Sequence, residues 1–216
     1  MPRLAVFDVD HTITRASTGR RLIQAGRKAG IFSLGNILSL PYHYVRYRSG
    51  KLNVDRALTA LARIQGQHRE ALEGIARRCF DERIVNDIMP QARECIEAHI
   101  RAGDVVALAT SSLRLIVKPL ADHFGIGYVL ATELEYEEGV ATGRLATEPC
   151  LAEEKRDRVE ALASALRVSL SNTSFYSDSH MDLPLLRIVG EPVAVNPDAR
   201  LRKEASSRGW EIVKFS

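Results

Sequence analysis

The feature that most constrains this chain is a short apolar run that ends in two acidic residues. Leu4-Ala5-Val6-Phe7 is followed directly by Asp8, and Asp10 comes two residues later. A continuous apolar run of this length is typical of a strand that is buried on both faces of a parallel sheet. Open α/β sheets bind ligands at the carboxyl ends of their strands. The sequence therefore predicts two carboxylates at a ligand-binding edge, which could hold a divalent cation or divide the roles of nucleophile and acid.

Strands and helices alternate in the second part of the chain. Further strands are predicted over residues 105–109, 128–131, 173–177, 192–195 and 210–215. Helices are predicted over 90–101, 113–123, 153–166, 185–189 and 200–207, and a hairpin over 133–144 with its turn at Glu138-Gly139. Such alternation implies a parallel sheet with right-handed crossovers.

The stretch between the first strand and this alternating region has a different character. Residues 18–80 contain no strand alternation, and glycines divide them into helical pieces. We therefore predict a helical subdomain inserted after the first strand. The predicted boundaries are 1–15 and 86–216 for the α/β core and 16–85 for the inserted helical cap.

Composition excludes several classes of protein. A net charge of +3 is too small to indicate nucleic acid as a partner. The three cysteines are far apart, which fits neither a disulfide framework nor a metal site and favours reduced thiols in a cytoplasmic protein. No signal peptide is visible, and the longest apolar stretch, 31–45, is too short to span a bilayer and contains Pro41. We expect a monomer or a homodimer.

Residues that could carry chemistry recur at the ends of the predicted elements. They are Asp8 and Asp10, Thr110, Lys155, and Asp178 with Asp182. This order and spacing resembles the haloacid dehalogenase superfamily, and the match runs over nearly the whole chain. The stretch from Tyr176 to Pro184 is similar to the phosphoserine-phosphatase-like branch, subfamily IB, as is the segment from Val195 to Trp210. The resemblance implies a Rossmann-like parallel-sheet core with an inserted all-helical cap, and a Mg²⁺-dependent phosphatase that forms an aspartyl-phosphate.

The resemblance also implies a role for each residue. Asp8 would be the nucleophile, and Asp10 would protonate the leaving alcohol and then deprotonate the attacking water. Thr110 and Lys155 would complete the catalytic set by binding phosphate oxygens. Asp182 would lie just outside the ligands that contact the ion and would orient a water ligand or Lys155. The candidate metal-site residues are Asp8, Asp10 through its backbone carbonyl, Asp178 and Asp182. The candidate substrate contacts are Ser17, Thr110, Ser111, Lys155 and His180.

Thr12 and His11 complete the first motif. Thr12 is expected to bond to the backbone of its own loop and so to have a structural role. His11 is expected to lie near Thr12 and away from the reacting phosphorus.

The substrate is less constrained than the chemistry. Phosphoserine phosphatases have an acidic residue a few positions after the first motif, whereas residues 13–18 here contain none. The open candidates are phosphoserine, histidinol phosphate, a sugar phosphate and a lipid phosphate. A phosphotransferase and a non-catalytic phosphate sensor are the alternatives.

The middle of the predicted cap has a composition of its own. The apolar and aromatic segment 31–48, preceded by Arg20, Arg21, Arg27 and Lys28, could pack within the cap, line a substrate pocket or make weak peripheral contact with anionic lipid.

Overall fold

The structure is a computed structural model that describes residues 3–30 and 64–216. Its strands are β1 Leu4–Phe7, β2 Val105–Leu113, β3 Tyr128–Thr132, β4 Leu134–Glu137, β5 Val140–Leu145, β6 Thr173–Ser177, β7 Glu191–Val195 and β8 Glu211–Val213. Its α-helices are α1 Thr18–Lys28, α2 Arg69–Cys79, α3 Val85–Asp87, α4 Pro90–Ala102, α5 Arg114–Phe124, α6 Ala152–Ala165, α7 Leu183–Leu186 and α8 Ala199–Arg208. A π-helical turn covers Phe80–Ile84, and 3₁₀ turns cover Leu170–Asn172 and His180–Asp182.

Six strands form one parallel sheet in the order β3-β2-β1-β6-β7-β8. This confirms the predicted α/β class with a Rossmann-like parallel core. The chain builds the sheet outward from β1 on one side and from β6 on the other. The order therefore reverses between β1 and β6, and the crevice at their carboxyl ends is where an open α/β sheet binds its ligand.

Alternation along the strands builds two apolar layers, one on each face of the sheet. In β1, Ala5 and Phe7 pack into the layer that contains α4 and α5. Leu4 and Val6 point the other way, into the layer formed with α6, α7 and α8. Because successive side chains of a strand face opposite sides, a strand buried on both faces must be apolar throughout. Burial thus explains why the sequence before Asp8 is continuously apolar.

Local signals placed most element boundaries correctly. Helix α4 ends at Gly103 and α5 at Gly125, and both glycines have the left-handed conformation that closes a helix. The hairpin β4–β5 turns at Glu138 and Gly139, whose φ angles are 48° and 80°. Two positive φ angles are what a tight two-residue hairpin turn requires. These features confirm the predicted hairpin and the predicted ends of both helices.

Some predicted boundaries were wrong, including those of the strand predicted over 210–215, which is β8 at Glu211–Val213. Strand β2 does not end at residue 109 but continues to Leu113, with a shift of register between Thr110 and Leu113 in its pairing to β3. The helix predicted over 185–189 is instead α7, Leu183–Leu186, because Pro184 occupies its first turn, where proline is well tolerated. The irregular end of β2 brings the Thr110–Ser112 segment to the edge of the site.

The described ends of the predicted cap pack onto the core. Ile75 and Ile84, which fall within the predicted cap, share an apolar cluster with Phe7 of β1. The residues before α2 also bond to the β4–β5 hairpin, for example from Gly66 N to Ala141 O at 2.9 Å. The rest of the predicted cap, including segment 31–48, lies outside the described residues. The division of the chain into two domains therefore stays a prediction.

One basic residue of the predicted flank has a partner within the fold. The guanidinium of Arg21 donates two hydrogen bonds to Asp87, from Nε at 2.7 Å and from a terminal nitrogen at 2.8 Å. This bidentate pair joins α1 to the segment that leads back into α4. Within the described ranges, no helix has the length and apolar character needed to cross a membrane.

Candidate active site

Asp8 stands at the carboxyl end of β1, in the crevice between β1 and β6. Its backbone N–H donates to Tyr176 O of β6 at 2.9 Å, which continues the sheet pairing to the edge. The chain then turns sharply, because the N–H groups of Ile13 and Thr14 both donate to Val9 O, at 2.8 and 3.0 Å. The turn returns the chain to the same edge and places Asp10 beside the N-terminus of α1.

The hydroxyl that secures this turn belongs to Thr14, and the prediction for Thr12 was wrong. Thr14 Oγ1 contacts Ala16 O at 2.8 Å and Val9 O at 3.3 Å. Thr12 Oγ1 is buried and has no hydrogen-bond partner among the described residues. Because both threonines follow Asp10 closely, only the path of the turn decided which one bonds to the backbone.

Lys155 joins two carboxylates that are far apart in the sequence. Its Nζ donates to Asp8 Oδ1 at 2.9 Å and to Asp182 Oδ2 at 2.8 Å. Asp182 Oδ1, at 2.7 Å from Nζ, makes an ionic contact without hydrogen-bond geometry. Only 2% of Lys155 is exposed, although it belongs to a charged run on α6. An ammonium buried to this degree needs carboxylate partners, and two surround it.

Asp182 is itself held in place by β6. Ser177 Oγ donates to Asp182 Oδ2 at 2.6 Å, and both residues are buried. The carboxylate of Asp182 thus accepts from a hydroxyl and from the Lys155 ammonium. Asp182 thus contacts the same Lys155 ammonium that contacts Asp8.

The environment of Asp8 disfavours its ionised form. Burial raises the pKa of Asp8 from 3.8 to about 7, and the negative charges of Asp182 and Asp10 act in the same direction, while Lys155 opposes the shift. The site therefore holds more negative charge than one ammonium balances. A divalent cation beside Asp8 would relieve this excess.

The pKa of Asp8 leads to a prediction about stability. Between about pH 4 and pH 7 the folded metal-free protein keeps a proton on Asp8 that the unfolded chain releases. The contribution of Asp8 to the free energy of unfolding is therefore present at low pH and is lost as the pH rises toward 7. Urea unfolding in EDTA at several pH values should reveal this trend as a difference between the wild type and Asp8→Asn. A constant difference between the two across this range would contradict it.

Asp10 is surrounded by hydrogen-bond donors from two elements. Its Oδ1 accepts from the N–H and the hydroxyl of Thr18 at 2.8 and 2.7 Å. Its Oδ2 accepts from Ser17 Oγ at 2.8 Å and from Ser112 Oγ at 3.2 Å. Asp10 thus links the first turn of α1 to the end of β2. The structure places Ser17, a predicted substrate contact, directly on this carboxylate.

The end of β2 forms another wall of the site. Thr110 is buried, and its Oγ1 accepts from Ser112 N at 3.1 Å. Ser111 O accepts from Thr132 Oγ1 of β3 at 2.8 Å, and the same Thr132 oxygen accepts from Cys150 N at 3.1 Å. Thr132 therefore connects the Thr110–Ser112 turn to the loop that precedes α6 and Lys155.

This link predicts an effect for a single hydroxyl. Thr132→Val keeps the shape of the side chain but removes the hydrogen bond to Ser111 O and leaves Cys150 N unsatisfied. We expect the free energy of unfolding to fall by about 1–3 kcal/mol. Thr132→Ser retains the hydroxyl and serves as the matched control. Urea titration measures both, and a valine variant as stable as the serine variant would show that the link contributes nothing.

Asp178 and His180 follow β6 at the same edge. Asp178 is 7% exposed and borders a cavity of about 390 Å³ that is also lined by His11 and Arg15. The His180 ring is buried and its Nδ1 lies 2.8 Å from Asp198 Oδ2.

Asp198 was not among the predicted site residues, although the rule that acids at strand ends mark the site would have found it after β7. Ser112 and Thr132 were also missed. Hydroxyl residues are common at the ends of strands and helices, so their positions in the sequence do not mark a site.

The donors at this edge fit a hard divalent cation. Within the described ranges no group of three or more His, Cys, Asp or Glu side chains forms a ready-made metal cage. Mg²⁺ does not need one, because it uses one or two carboxylates and keeps several waters. Asp8 and Asp178 follow the neighbouring strands β1 and β6 and could supply carboxylates, Asp10 could supply a backbone carbonyl, and the cavity beside Asp178 has room for water. The residues present therefore fit such an ion.

Fold and site together define an α/β enzyme with its reactive carboxylates at the topological switch point of a parallel sheet. The family model described as haloacid dehalogenase-like hydrolase matches residues 5–187. The chain belongs to this family, which confirms the predicted resemblance and the prediction of a hydrolase.

Individual relatives cover the whole chain. A histidinol-phosphatase of Neisseria meningitidis is 35% identical, with 100% of both chains covered. The phosphoserine phosphatase SerB1 of Mycobacterium tuberculosis is 33% identical over 98% of this chain and 70% of its own length. Among solved structures, a Bordetella pertussis protein of unknown function is 29% identical with a TM-score of 0.87, and each chain is covered to 99%. A substrate-bound phosphoserine phosphatase is 20% identical with a TM-score of 0.73, covers 99% of this chain and 93% of its own, and is similar in fold.

Proposed function

We propose that this enzyme is a Mg²⁺-dependent phosphatase that hydrolyses a small phosphate monoester through an aspartyl-phosphate on Asp8. The observation that carries the proposal is the buried contact of Lys155 with Asp8 at the switch point of the sheet. Burying a lysine and two carboxylates carries a desolvation penalty. Buried charged groups with shifted pKa values cluster at functional sites. Phosphoryl transfer needs such a place, because its catalysis is mostly positioning and charge neutralisation.

Asp8 begins the reaction as the nucleophile. One of its carboxylate oxygens attacks phosphorus, a new O–P bond forms, and the bond from phosphorus to the substrate alcohol breaks. Asp10 gives a proton to the departing alcohol oxygen. Water then attacks the aspartyl-phosphate, Asp10 takes a proton from that water, and phosphate leaves with the Asp8 carboxylate restored.

The other residues position the phosphoryl group and balance its charge. Thr110, at the end of β2, would donate its hydroxyl to a phosphate oxygen. Lys155 would supply a positive charge to the same group, held in direction by Asp182. Asp8, Asp178 and the backbone carbonyl of Asp10 would hold Mg²⁺, and Asp182 would act through Lys155. When bound, the ion would reduce the repulsion between the Asp8 carboxylate and the phosphate.

The names of two relatives specify the compounds from which we choose substrate candidates. Histidinol phosphate and phosphoserine are both phosphate esters of a primary alcohol with an amino group on the neighbouring carbon. They differ in the third substituent, an imidazolylmethyl group in one and a carboxylate in the other. We propose this class of amino-alcohol phosphate as the substrate. Histidinol phosphate is the first candidate, since that relative is covered from end to end and residues 13–18 lack the acidic residue found in phosphoserine phosphatases.

The test is phosphate release from a panel of monoesters, with Mg²⁺ and with EDTA. The panel contains histidinol phosphate, phosphoserine, a sugar phosphate and a lysophosphatidic acid. We expect Mg²⁺-dependent release from an amino-alcohol phosphate and none in Asp8→Asn. Preference for the lysophosphatidic acid would replace the proposed substrate class. Absence of release from every compound would favour a transferase or a phosphate sensor.

A further inference from the structure

Asp198 connects the loop after β6 to the helix after β7. It follows β7 in the segment Asn196-Pro197-Asp198, and its backbone N–H donates to the carbonyl oxygen of Asp178 at 2.9 Å. This hydrogen bond joins the ends of two neighbouring strands. The backbone of the residue proposed to bind Mg²⁺ is thus tied directly to Asp198.

The carboxylate of Asp198 holds the same loop at a second point. Its Oδ2 accepts from the backbone N–H of His180 at 2.9 Å and lies 2.8 Å from His180 Nδ1. Arg200 lies 3.3 Å from the other ring nitrogen, so that nitrogen accepts from the guanidinium and Nδ1 donates to Asp198. The loop is therefore held both at Asp178 and two residues beyond it.

The second carboxylate oxygen of Asp198 fixes the residue to a rigid element. Oδ1 accepts from the N–H groups of Arg200 and Leu201, both at 2.9 Å, so Asp198 is the N-cap of α8. Helix α8 is anchored by Leu201 and Ala205, which are fully buried in the apolar layer beneath the sheet. Burial would raise the pKa of Asp198, but the hydrogen bonds from His180 and Leu201 lower it overall. The loop that carries Asp178 is therefore joined to helix α8 through a single residue, by the backbone N–H of Asp198 at Asp178 and by its carboxylate at His180.

We propose that Asp198 is a positioning residue for Asp178 and that it sets the affinity of the site for Mg²⁺. The inference rests on the proposed function, which assigns Asp178 to the metal. Replacing a group that holds a metal ligand in position, without contacting the ion, commonly weakens metal binding by about 10–100-fold. Asp198 would act in this way without touching the ion or the substrate.

The variant Asp198→Asn separates this role from helix capping. Asparagine is as good an N-cap as aspartate, so its oxygen can remain on the N–H groups of α8. Its amide nitrogen then faces the backbone N–H and the Nδ1–H of His180. A donor therefore replaces the oxygen that accepted both hydrogen bonds. The variant thus keeps the cap and the backbone hydrogen bond to Asp178 O, and it breaks the side-chain tie to His180. Ser169→Ala, which removes the side-chain cap of the 3₁₀ turn before β6, is the control for loss of a cap elsewhere.

Calorimetric titration of the metal-free protein with Mg²⁺ tests the inference without any turnover. We expect the Kd of Asp198→Asn to rise about 10–100-fold, while that of Ser169→Ala stays at the wild-type value. With Mg²⁺ and substrate both saturating, phosphate release by Asp198→Asn should approach the wild-type rate, because Asp8, Asp10 and Lys155 are unchanged. A merely structural role would lower the melting temperature and leave Kd unchanged.

The outcomes distinguish this inference from the proposed function. An unchanged Mg²⁺ Kd in folded Asp198→Asn overturns the role of Asp198, even if the enzyme is a phosphatase. Weakened binding supports it even if no compound in the panel is hydrolysed. If Asp198→Asn does not fold, Asp198→Ser, which keeps a capping hydroxyl that is too short to reach His180, is titrated instead with the same two readings. A wild type that binds no Mg²⁺ overturns the metal site and this inference together.

Discussion

Replacing Asp8 by asparagine is expected to reduce phosphate release by about 10⁴-fold or more, with the fold retained. Asparagine has nearly the same shape, and its amide oxygen can still accept the hydrogen bond from Lys155. It cannot attack phosphorus as a carboxylate does, so the first half-reaction is lost. Removal of the group that forms the covalent intermediate abolishes nearly all the catalysis that depends on it.

The same substitution should make the metal-free protein more stable at neutral pH. Asp8 is buried beside Asp10 and Asp182, and its ionisation opposes folding above about pH 4. A neutral side chain at this position removes that opposition. Loss of activity together with a higher melting temperature is typical of a residue retained for chemistry and not for stability.

Steady-state phosphate release with Mg²⁺ and thermal melting in EDTA measure the two effects. Asp157→Asn is the matched control, because it makes the same chemical change at an exposed position on α6. We expect this control to behave as the wild type in both assays. Turnover of Asp8→Asn within about tenfold of the wild type would contradict the assignment of the nucleophile. An equal loss in Asp157→Asn would show that the change is not specific to the site.

Replacing Gly190 by alanine is expected to lower the free energy of unfolding by about 3 kcal/mol or more. Gly190 lies just before β7 and donates its N–H to Leu170 O at 2.8 Å. A β-carbon built at this position would lie 2.0 Å from the carbonyl oxygen and 2.6 Å from the carbonyl carbon of Ser171. These are backbone atoms, so no side-chain rotation can relieve the overlap.

The reason for so large an effect is the position of the contact. Ser171 belongs to the 3₁₀ turn that leads into β6, and Gly190 leads into β7. The two strands enter the sheet side by side, so moving one entrance displaces the pairing that follows. Strand β6 carries Asp178 at its far end, and the displacement would therefore extend toward the site.

Urea unfolding of Gly190→Ala and Gly127→Ala tests this prediction. A β-carbon at Gly127 meets no atom within 4 Å, and its φ is outside the left-handed region, so alanine should be tolerated or slightly stabilising. The two variants make the same chemical change, each directly before a strand of the sheet. If Gly190→Ala unfolds at the wild-type urea concentration, the close approach of the two backbones is not present in solution.

Several features of the fold were predicted correctly because they depend on neighbouring residues. The end of β1 at Asp8 follows from a continuous apolar run, and the hairpin turn follows from the pair Glu138-Gly139. Parallel strands present their carboxyl ends at one edge, so acids that follow different strands were expected to meet there. The structure places Asp8 and Asp182 on the same lysine, in agreement with that expectation.

Local periodicity and turn chemistry were enough to predict the presence of the strands, most of the helix ends and the edge at which the acids gather. The tertiary structure alone decided which groups touch. Lys155 lies in a charged run whose pattern indicates a solvated face, yet it is buried because Asp8, 147 positions away, comes beside it. The tie from Asp198 to Asp178 and the approach of Gly190 to Ser171 likewise join segments that belong to different elements. Such contacts depend on how packed elements are placed in space, and no local pattern of residues records that placement.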